Sequence, residues 1–166
     1  MTSQDENSDL VITKLENDRQ ASRCARMMAR SEPWITLLRD YRTALKMLQD
    51  TSREGYVALI GEQVVGFIIL VMHGPFRGYI QTVGVMPRWR NRGIGTKLIE
   101  FAEQRILREA PNVFMCVSSF NEQAQKLYKR LGYEVVGELR EFIVPNHSEI
   151  LLRKTTAPWT EFKKSK

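Results

Sequence analysis

The chain has 166 residues, of which 43% are hydrophobic and 27% charged, and its formal net charge is +6. These values suit one globular domain with a full core. Only two cysteines are present, Cys24 and Cys116, which excludes a disulfide-rich scaffold and indicates a reducing compartment. The apolar run at 64–72 is about half of the ~20 residues that a membrane helix needs, and the polar start is no signal peptide, so we expect a cytoplasmic protein.

The positive charge is concentrated in two places, the cluster Arg88, Arg90 and Arg92 and the tail that begins at Arg153. A nucleic-acid-binding protein would carry a continuous basic stripe with base-stacking aromatic residues, and the sequence shows none. We therefore expect no nucleic-acid partner and no membrane partner. An adaptor that binds nucleic acid through the arginine cluster and the tail stays open as an alternative.

Hydrophobic periodicity predicts one alternating α/β unit without internal repeats. In the first half we predict a strand, two helices separated by a turn at 31–34, and a hairpin that turns at Gly61-Glu62. These elements cover residues 10–15, 18–30, 36–48, 56–60 and 64–72.

The second half is predicted to begin with a fourth strand and a helix, followed by a fifth strand and a helix that ends at Gly132. A last hairpin turns at Pro145-Asn146. These elements cover residues 78–86, 94–108, 112–117, 123–131, 133–144 and 149–153.

We divide the chain into a flexible N-terminus (1–8), one domain (9–154) and a C-terminal extension (155–166). We leave open whether the protein is a monomer or a homodimer.

A basic, glycine-containing loop precedes the helix predicted at 94–108. The first turn of a helix leaves backbone N–H groups without partners and favours an anion, and glycines let a phosphate approach the backbone. No Ser, Thr or Asp stands directly before this helix, so its donors are left for a ligand. The loop consists of Arg90, Asn91, Arg92, Gly93, Ile94, Gly95 and Thr96.

This Arg-x-x-Gly-x-Gly pattern after a strand and Pro87 resembles the pyrophosphate loop of the GNAT superfamily of N-acetyltransferases. A second segment, from Ala124 to Tyr133, is similar to the family's Ala-x-x-Leu-Tyr-x-x-x-Gly-Phe signature, with Tyr133 in place of Phe. The two motifs stand in the family's order, one helix and one strand apart. The resemblance covers about residues 9–153.

The resemblance implies an α/β fold of the GNAT type: a central, twisted, mostly antiparallel sheet with a splayed parallel pair of strands, flanked by about four helices. It implies acetyl-CoA as co-substrate, no metal, and an acetyl transfer to a primary amine. The cofactor's pyrophosphate would rest on residues 90–96, and its pantetheine arm would contact the main chain of Val83 and Val85. We expect Gly84, between them, to mark a bulge that opens the sheet.

Two further residues have both a structural and a functional interpretation. Asn121 is an expected helix N-cap, whereas the resemblance implies that it hydrogen-bonds the cofactor arm. Tyr128 fits an apolar helical stripe and so a core position, whereas the resemblance makes it the general acid that protonates the departing thiolate. The N–H of Val85 would stabilise the oxyanion. We expect direct attack by the amine, without acylation of a cysteine.

The general base and the acceptor stay open. Many family members place Glu in the fourth strand, where this chain has Gln81, which cannot accept a proton at neutral pH. Candidate bases elsewhere are Glu32, Glu138, Glu141 and His147, or a water chain among them. The resemblance places the acceptor beside residues 31–35 and 143–147, and the candidate acceptor-binding residues are Glu32, Trp34, Gln81 and His147. A weak set of bases favours an α-amine or a small-molecule amine of lowered pKa, and Gln81 also admits a catalytically silent acetyl-CoA-binding module.

Overall fold

A computed structural model describes residues 9–164. It contains seven strands and four α-helices, in the order β1 (Leu10–Lys14), α1 (Asp18–Ala29), α2 (Tyr41–Leu48), β2 (Glu54–Ile60), β3 (Gln63–Val71), β4 (Tyr79–Val85), α3 (Ile94–Ile106), β5 (Asn112–Ser118), α4 (Glu122–Arg130), β6 (Glu134–Arg140) and β7 (Ser148–Thr155). Short 3-10 turns lie at Pro87–Trp89 and Trp159–Glu161. The segment predicted to be a flexible N-terminus, 1–8, and the last two residues lie outside the described residues.

The strands form one sheet in the order β1-β2-β3-β4-β5-β7-β6. Every neighbouring pair is antiparallel except β4 and β5, which are parallel. The predicted mixed sheet with one parallel pair is therefore confirmed. The chain returns from β6 to insert β7 between β5 and β6, so the last strand is an interior strand rather than an edge.

The parallel pair is joined at one end only. Tyr79 pairs with Phe114 and Ile80 with Met115, and the pairing stops there. On its other side β5 pairs with β7 along its whole length, from Asn112 to Ser118. The strands thus diverge after Ile80, which confirms the predicted splay and leaves main-chain groups of β4 without a neighbouring strand.

The expected bulge at Gly84 is wrong, because the irregularity lies at Gln81. Leu70 pairs with Ile80 and Ile69 with Thr82, so Gln81 is the additional residue in β4. Gly84 pairs in register and is required for packing instead: a Cβ there would lie 2.6 Å from Cε1 of Phe67 and 2.7 Å from Cε of Met27.

The sheet is covered on both faces, which explains the almost continuous apolar sequence of β3. Ile68 and Leu70 pack into a cluster with α3, while Phe67 and Ile69 pack into a second cluster with α1 and α2. Helix α3 contributes five buried residues to the first cluster: Ile94, Leu98, Ile99, Ala102 and Ile106. This packing fixes the start of α3 beside the end of β4.

Several predicted boundaries differ from the structure, and three of them concern α2, β6 and β7. Helix α2 begins at Tyr41, because Asp40 caps it by accepting a 2.7 Å hydrogen bond from the Thr43 N–H. Strand β6 ends at Arg140 and is followed by a loop in which Glu141 has a φ of 51°. Strand β7 continues to Thr155, just beyond the predicted domain end at 154, so that division stays a prediction.

The described part of the predicted C-terminal extension lies against the domain. Thr156 donates its N–H to the carbonyl of Pro111, and the Arg77 guanidinium lies 5.9 Å from the Trp159 ring centre. Within residues 9–164, none of the helices has the length and apolar character to cross a bilayer.

Candidate active site

A cavity of about 120 Å³ lies where β4 and β5 separate. Part of its wall is apolar and comes from α1, α2, the segment between them and β5: Met28, Trp34, Leu37, Met47 and Met115. The polar part comes from the segment before α2, from β4, β5 and β7, and from α4 with its N-cap: Arg39, Tyr79, Gln81, Thr82, Cys116, Ser118, Asn121, Tyr128 and Glu149. The divergence of one strand pair thus creates a site whose walls come from distant parts of the chain.

The main chain of β4 presents unpaired groups at this divergence. Met86 donates its N–H to the carbonyl of Val65 over 2.8 Å, so these two residues form a hydrogen-bonded antiparallel pair. Because such pairs alternate along a ladder, the main-chain groups of Val83 and Val85 point away from β3. The Val85 carbonyl accepts a hydrogen bond from Arg90 Nε over 3.1 Å. The Val85 N–H and both main-chain groups of Val83 therefore face the space that β5 has left.

The start of α3 has the properties of an anion site. Gly93 is its N-cap with a φ of 78°, makes no side-chain capping bond, and accepts from Lys97 N at 3.1 Å. The N–H groups before Lys97 consequently have no place in the helical ladder. A Cβ at Gly95 would meet only Cγ2 of Val85, at an ordinary 3.7 Å. The fold itself does not require glycine at 95, so its absent side chain leaves room for a ligand.

The arginines of the loop are exposed and add positive charge beside these N–H groups. The guanidinium of Arg92 lies 4.9 Å from the Trp89 ring centre, and Arg90 is tied to β4 through the Val85 carbonyl. Asn91 has a φ of 60°, which turns the chain toward α3. The loop is thus held in shape by its own basic residues.

Asn121 is the N-cap of α4, as its structural interpretation requires. Its Oδ1 accepts from the Ala124 N–H over 3.2 Å. Since Asn121 also lines the cavity, its side-chain N–H groups are the part that can contact a ligand. Gln125, one turn further, donates to the carbonyls of Ser118 and Ser119 and holds the end of β5 against α4.

Tyr128 lies in the cavity wall and is 8% exposed. Burial raises the pKa of its hydroxyl to about 12, so the group stays protonated at neutral pH. Across residues 9–164, no side chain or main-chain group hydrogen-bonds this hydroxyl, while the ring packs edge-on against Tyr133. A protonated, unengaged hydroxyl at a cavity is suited to donating a proton to a bound molecule.

The four candidate acceptor-binding residues fall into two groups. Trp34 and Gln81 line the cavity; the indole N–H of Trp34 donates to Thr82 Oγ1 over 3.2 Å, and Trp34 is buried. Glu32 is outside, where its carboxylate accepts from the N–H and hydroxyl of Thr36. His147 is also outside, with its ring 4.9 Å from that of Phe120.

Among the cavity residues that sequence reasoning missed, Glu149 is the carboxylate. It is 4% exposed, and its Oε1 accepts from the Ser118 hydroxyl over 2.7 Å. Burial raises the pKa of its carboxyl, and the bond from Ser118 partly opposes that rise. The sequence signal that could have identified Glu149 is an acidic residue directly before the apolar stretch Ile150-Leu151-Leu152. By contrast, the candidate bases Glu138 and Glu141 are exposed.

Two other ionisable groups of the cavity, Tyr79 and Cys116, are neutral at pH 7, whereas Arg39 in the same wall is positively charged. Burial raises the pKa of Tyr79, with added contributions from the neighbouring Cys116 and Glu149. Burial likewise raises the pKa of the Cys116 thiol, so this cysteine is not a thiolate nucleophile. Burial raises the pKa of Cys24 to about 12, and this residue lies in the α1 core.

Comparisons with known proteins agree on one family. The family model described as "Acetyltransferase (GNAT) family" matches residues 17–133. The chain is 30% identical over 139 residues to N-alpha-acetyltransferase 30 of Xenopus laevis, which covers 79% of this chain and 49% of that protein. It is 26% identical over 126 residues to an N-alpha-acetyltransferase of Sulfurisphaera tokodaii, covering 68% and 75% of the two chains. The chain thus spans about half the length of the frog relative.

Solved structures share the fold over almost the whole chain. The crystal structure of Ard1 from Thermoplasma volcanium superposes with a TM-score of 0.74 at 17% identity, covering 90% of this chain and 99% of that one. An aminoglycoside 6'-N-acetyltransferase complexed with coenzyme A superposes with a TM-score of 0.66 at 16% identity, covering 89% and 98%.

Proposed function

The chain belongs to the acetyltransferase (GNAT) family, and we propose that it transfers the acetyl group of acetyl-CoA to a primary amine by direct attack. The observation that carries this proposal is the parting of β4 and β5 beside an uncapped helix start. Together they offer unpaired main-chain donors for an amide-bearing arm and an anion site for a pyrophosphate, within reach of one another.

The residues present fit acetyl-CoA, which supplies an activated acetyl thioester. Residues 90–96 would hold the pyrophosphate through the N–H groups at the start of α3, with Gly95 giving it room. The main chains of Val83 and Val85 would bind the pantetheine amides as an added strand would. The side-chain N–H groups of Asn121 would donate to the same arm, since its oxygen caps α4.

Two groups would act on the reacting atoms. The Val85 N–H faces the divergence, where it would donate to the developing oxyanion. The Tyr128 hydroxyl would protonate the departing thiolate, and its raised pKa means that it holds its proton at neutral pH. Cys116, with its protonated thiol, has no covalent role in this scheme.

We further propose that the acceptor is the α-amino group of a peptide. Two relatives are named N-alpha-acetyltransferases, and an α-amine has a pKa of about 7.7–8.0 against about 10.4 for a lysine amine, so it loses its proton more readily. The apolar wall formed by Met28, Leu37 and Met47 suits an apolar side chain beside the amine.

The test is a panel of peptides that differ in their first residue and carry one internal lysine, each with a free or a blocked α-amine. We expect acetyl-CoA to release free thiol with the unblocked peptides and mass spectrometry to place the acetyl group on the α-amine. Acetylation of the blocked peptides at lysine would overturn the α-amine proposal.

Calorimetry with coenzyme A and with duplex DNA accompanies the panel. Binding of coenzyme A without thiol release from peptides or from a set of small amines would support the silent binding module instead. Binding of DNA but not of coenzyme A would support the nucleic-acid adaptor.

A further inference from the structure

Glu149 is the one carboxylate in the cavity wall among the described residues. It lies on β7, an interior strand of the sheet, opposite Ser118 of β5, whose hydroxyl holds Oε1 at 2.7 Å. No ion pair to Glu149 occurs anywhere in residues 9–164. The chain thus places a buried carboxylate that forms no ion pair in the same wall as Tyr128.

A second group of this wall also lacks a partner. Gln81 is the bulge residue of β4, and its Oε1 is buried with no hydrogen-bond donor among the described residues. Buried acceptors without donors are costly, and a buried carboxylate without a cation is costlier still. A positively charged ligand group with several N–H donors would both hydrogen-bond the Gln81 oxygen and pair with the Glu149 carboxylate.

The surroundings supply little positive charge of their own. Tyr79 from β4, Cys116 from β5 and Tyr128 from α4 are neutral at pH 7, and Arg39, from the segment before α2, is the cation of the wall. His147, two residues before Glu149, packs on Phe120 outside the cavity. An arriving ammonium group would therefore find a carboxylate that no salt bridge already neutralises.

From this geometry we propose that Glu149 and Gln81 bind the acceptor ammonium, that Ser118 positions Glu149, and that Glu149 takes the proton that frees the amine for attack. The proposal rests on the acetyl transfer proposed above. In this scheme Glu149 is the general base, a role that Gln81 in β4 cannot perform.

The proton balance of the step is complete. The ammonium gives one proton to the Glu149 carboxylate, and the neutral nitrogen bonds to the thioester carbon. As the carbon–sulfur bond breaks, the thiolate takes the Tyr128 proton, and the nitrogen's second proton returns to the tyrosinate. Glu149 then releases its proton to solvent, so one ammonium and one thioester yield one amide, one thiol and one proton.

Two acceptors test the assignment. One is a peptide with a free α-amine; the other is the same peptide with an aminooxyacetyl group as its first residue, which is already neutral at pH 7 and needs no base. We expect Glu149→Gln to lower kcat/KM for the α-amine peptide by about 10²–10⁴-fold and to lower it far less for the aminooxy peptide. Glu134→Gln, which changes an exposed carboxylate in the neighbouring strand, is the matched control and should leave both rates unchanged.

The outcomes separate this inference from the proposed function. A wild-type protein that releases no thiol with either peptide contradicts the acetyl transfer itself. An active wild-type protein with an equally active Glu149→Gln variant, or with equal losses on both peptides, overturns the role of Glu149 alone.

Ser118→Ala provides a second test, because it keeps the carboxylate and removes the hydroxyl that holds it. We expect a loss of about tenfold for the α-amine peptide and a smaller loss for the aminooxy peptide. Ser118→Ala also tests the proposal if Glu149→Gln fails to fold. Equal losses of kcat/KM on both peptides would then contradict the role of Glu149.

Discussion

At the scale of single residues, Tyr128 and Tyr133 form a matched pair of buried tyrosines with different surroundings. The Tyr133 hydroxyl donates to Glu103 Oε1 over 2.9 Å, whereas the Tyr128 hydroxyl has no such bond within the described chain. We expect Tyr128→Phe to lower kcat by about 10²–10⁴-fold with unchanged affinity for coenzyme A and unchanged thermal stability. Single-turnover kinetics, calorimetry and thermal denaturation measure the three quantities.

Tyr133→Phe should give the opposite pattern. Its free energy of unfolding should fall by about 1 kcal/mol, because the buried hydrogen bond to Glu103 is lost, while kcat changes little. Equal turnover for the wild-type protein and Tyr128→Phe would remove Tyr128 from the mechanism.

Two glycines near the end of β4 make a second residue-scale contrast. Alanine at 95 meets only an ordinary contact with Val85 and improves the helix by up to about 1 kcal/mol, so Gly95→Ala should not destabilise the fold. The added methyl group should weaken coenzyme A binding, because it occupies the space left for the phosphates. Calorimetry and thermal denaturation check this expectation, and unimpaired binding by Gly95→Ala would contradict the assigned phosphate site.

Gly84→Ala serves as the structural counterpart. Its Cβ would overlap Phe67 and Met27, so this variant should lower the melting temperature. Both glycines lie in one short stretch of the sequence. The sequence alone does not show that close packing requires glycine at 84 and that the fold has room for a side chain at 95.

At the scale of elements, the strands and helices follow their sequence periodicity closely, and the misses have physical causes. The predicted helix at 36–48 included Leu38, which is 76% exposed in the structure. Leu38 has a φ of 55°, which does not belong to a right-handed helix, and Asp40 is the N-cap of α2. The capping residue therefore determines where the helix begins. Local periodicity could not show which apolar residues reach the core.

Strand pairing limited the prediction of β4 in a similar way. The bulge is defined by which residues of β3 face Ile80 and Thr82, and that register depends on a partner strand rather than on β4 itself. A glycine between two β-branched residues gave a plausible but incorrect position. The bulge instead lies at Gln81, whose unsatisfied oxygen then becomes part of the cavity wall.

At the scale of the whole molecule, the two halves of the candidate site differ in how far the sequence reveals them. Apart from Asn121, the half assigned to the cofactor is one contiguous stretch, from the end of β4 to the start of α3, and its pattern can be found in the sequence. The half assigned to the acceptor joins Trp34, Gln81, Tyr128 and Glu149 from four distant segments. Glu149 joins them because β7 inserts beside β5, an arrangement that chain order does not disclose.

Burial of Glu149 should make the free energy of unfolding depend on pH. Its pKa is raised from 4.5 in the folded state, so below that value both states hold the proton and the side chain costs nothing. As the pH rises, the unfolded chain ionises first and the folded chain must then bury a charge. Stability relative to Glu149→Gln should therefore fall until the pH exceeds the raised pKa, and then stay level.

Thermal denaturation of the wild-type protein and Glu149→Gln between pH 4 and pH 8 measures this difference. Both proteins retain His147 and Arg39, so the comparison isolates the change at position 149. Glu149→Gln should have a higher melting temperature than the wild-type protein at pH 8 and should lose that advantage toward pH 4. The control Glu134→Gln should show no such trend. A wild-type advantage that grows with pH would instead mean that a cation within the fold already neutralises Glu149, and the site would then have no charge to offer an arriving ammonium group.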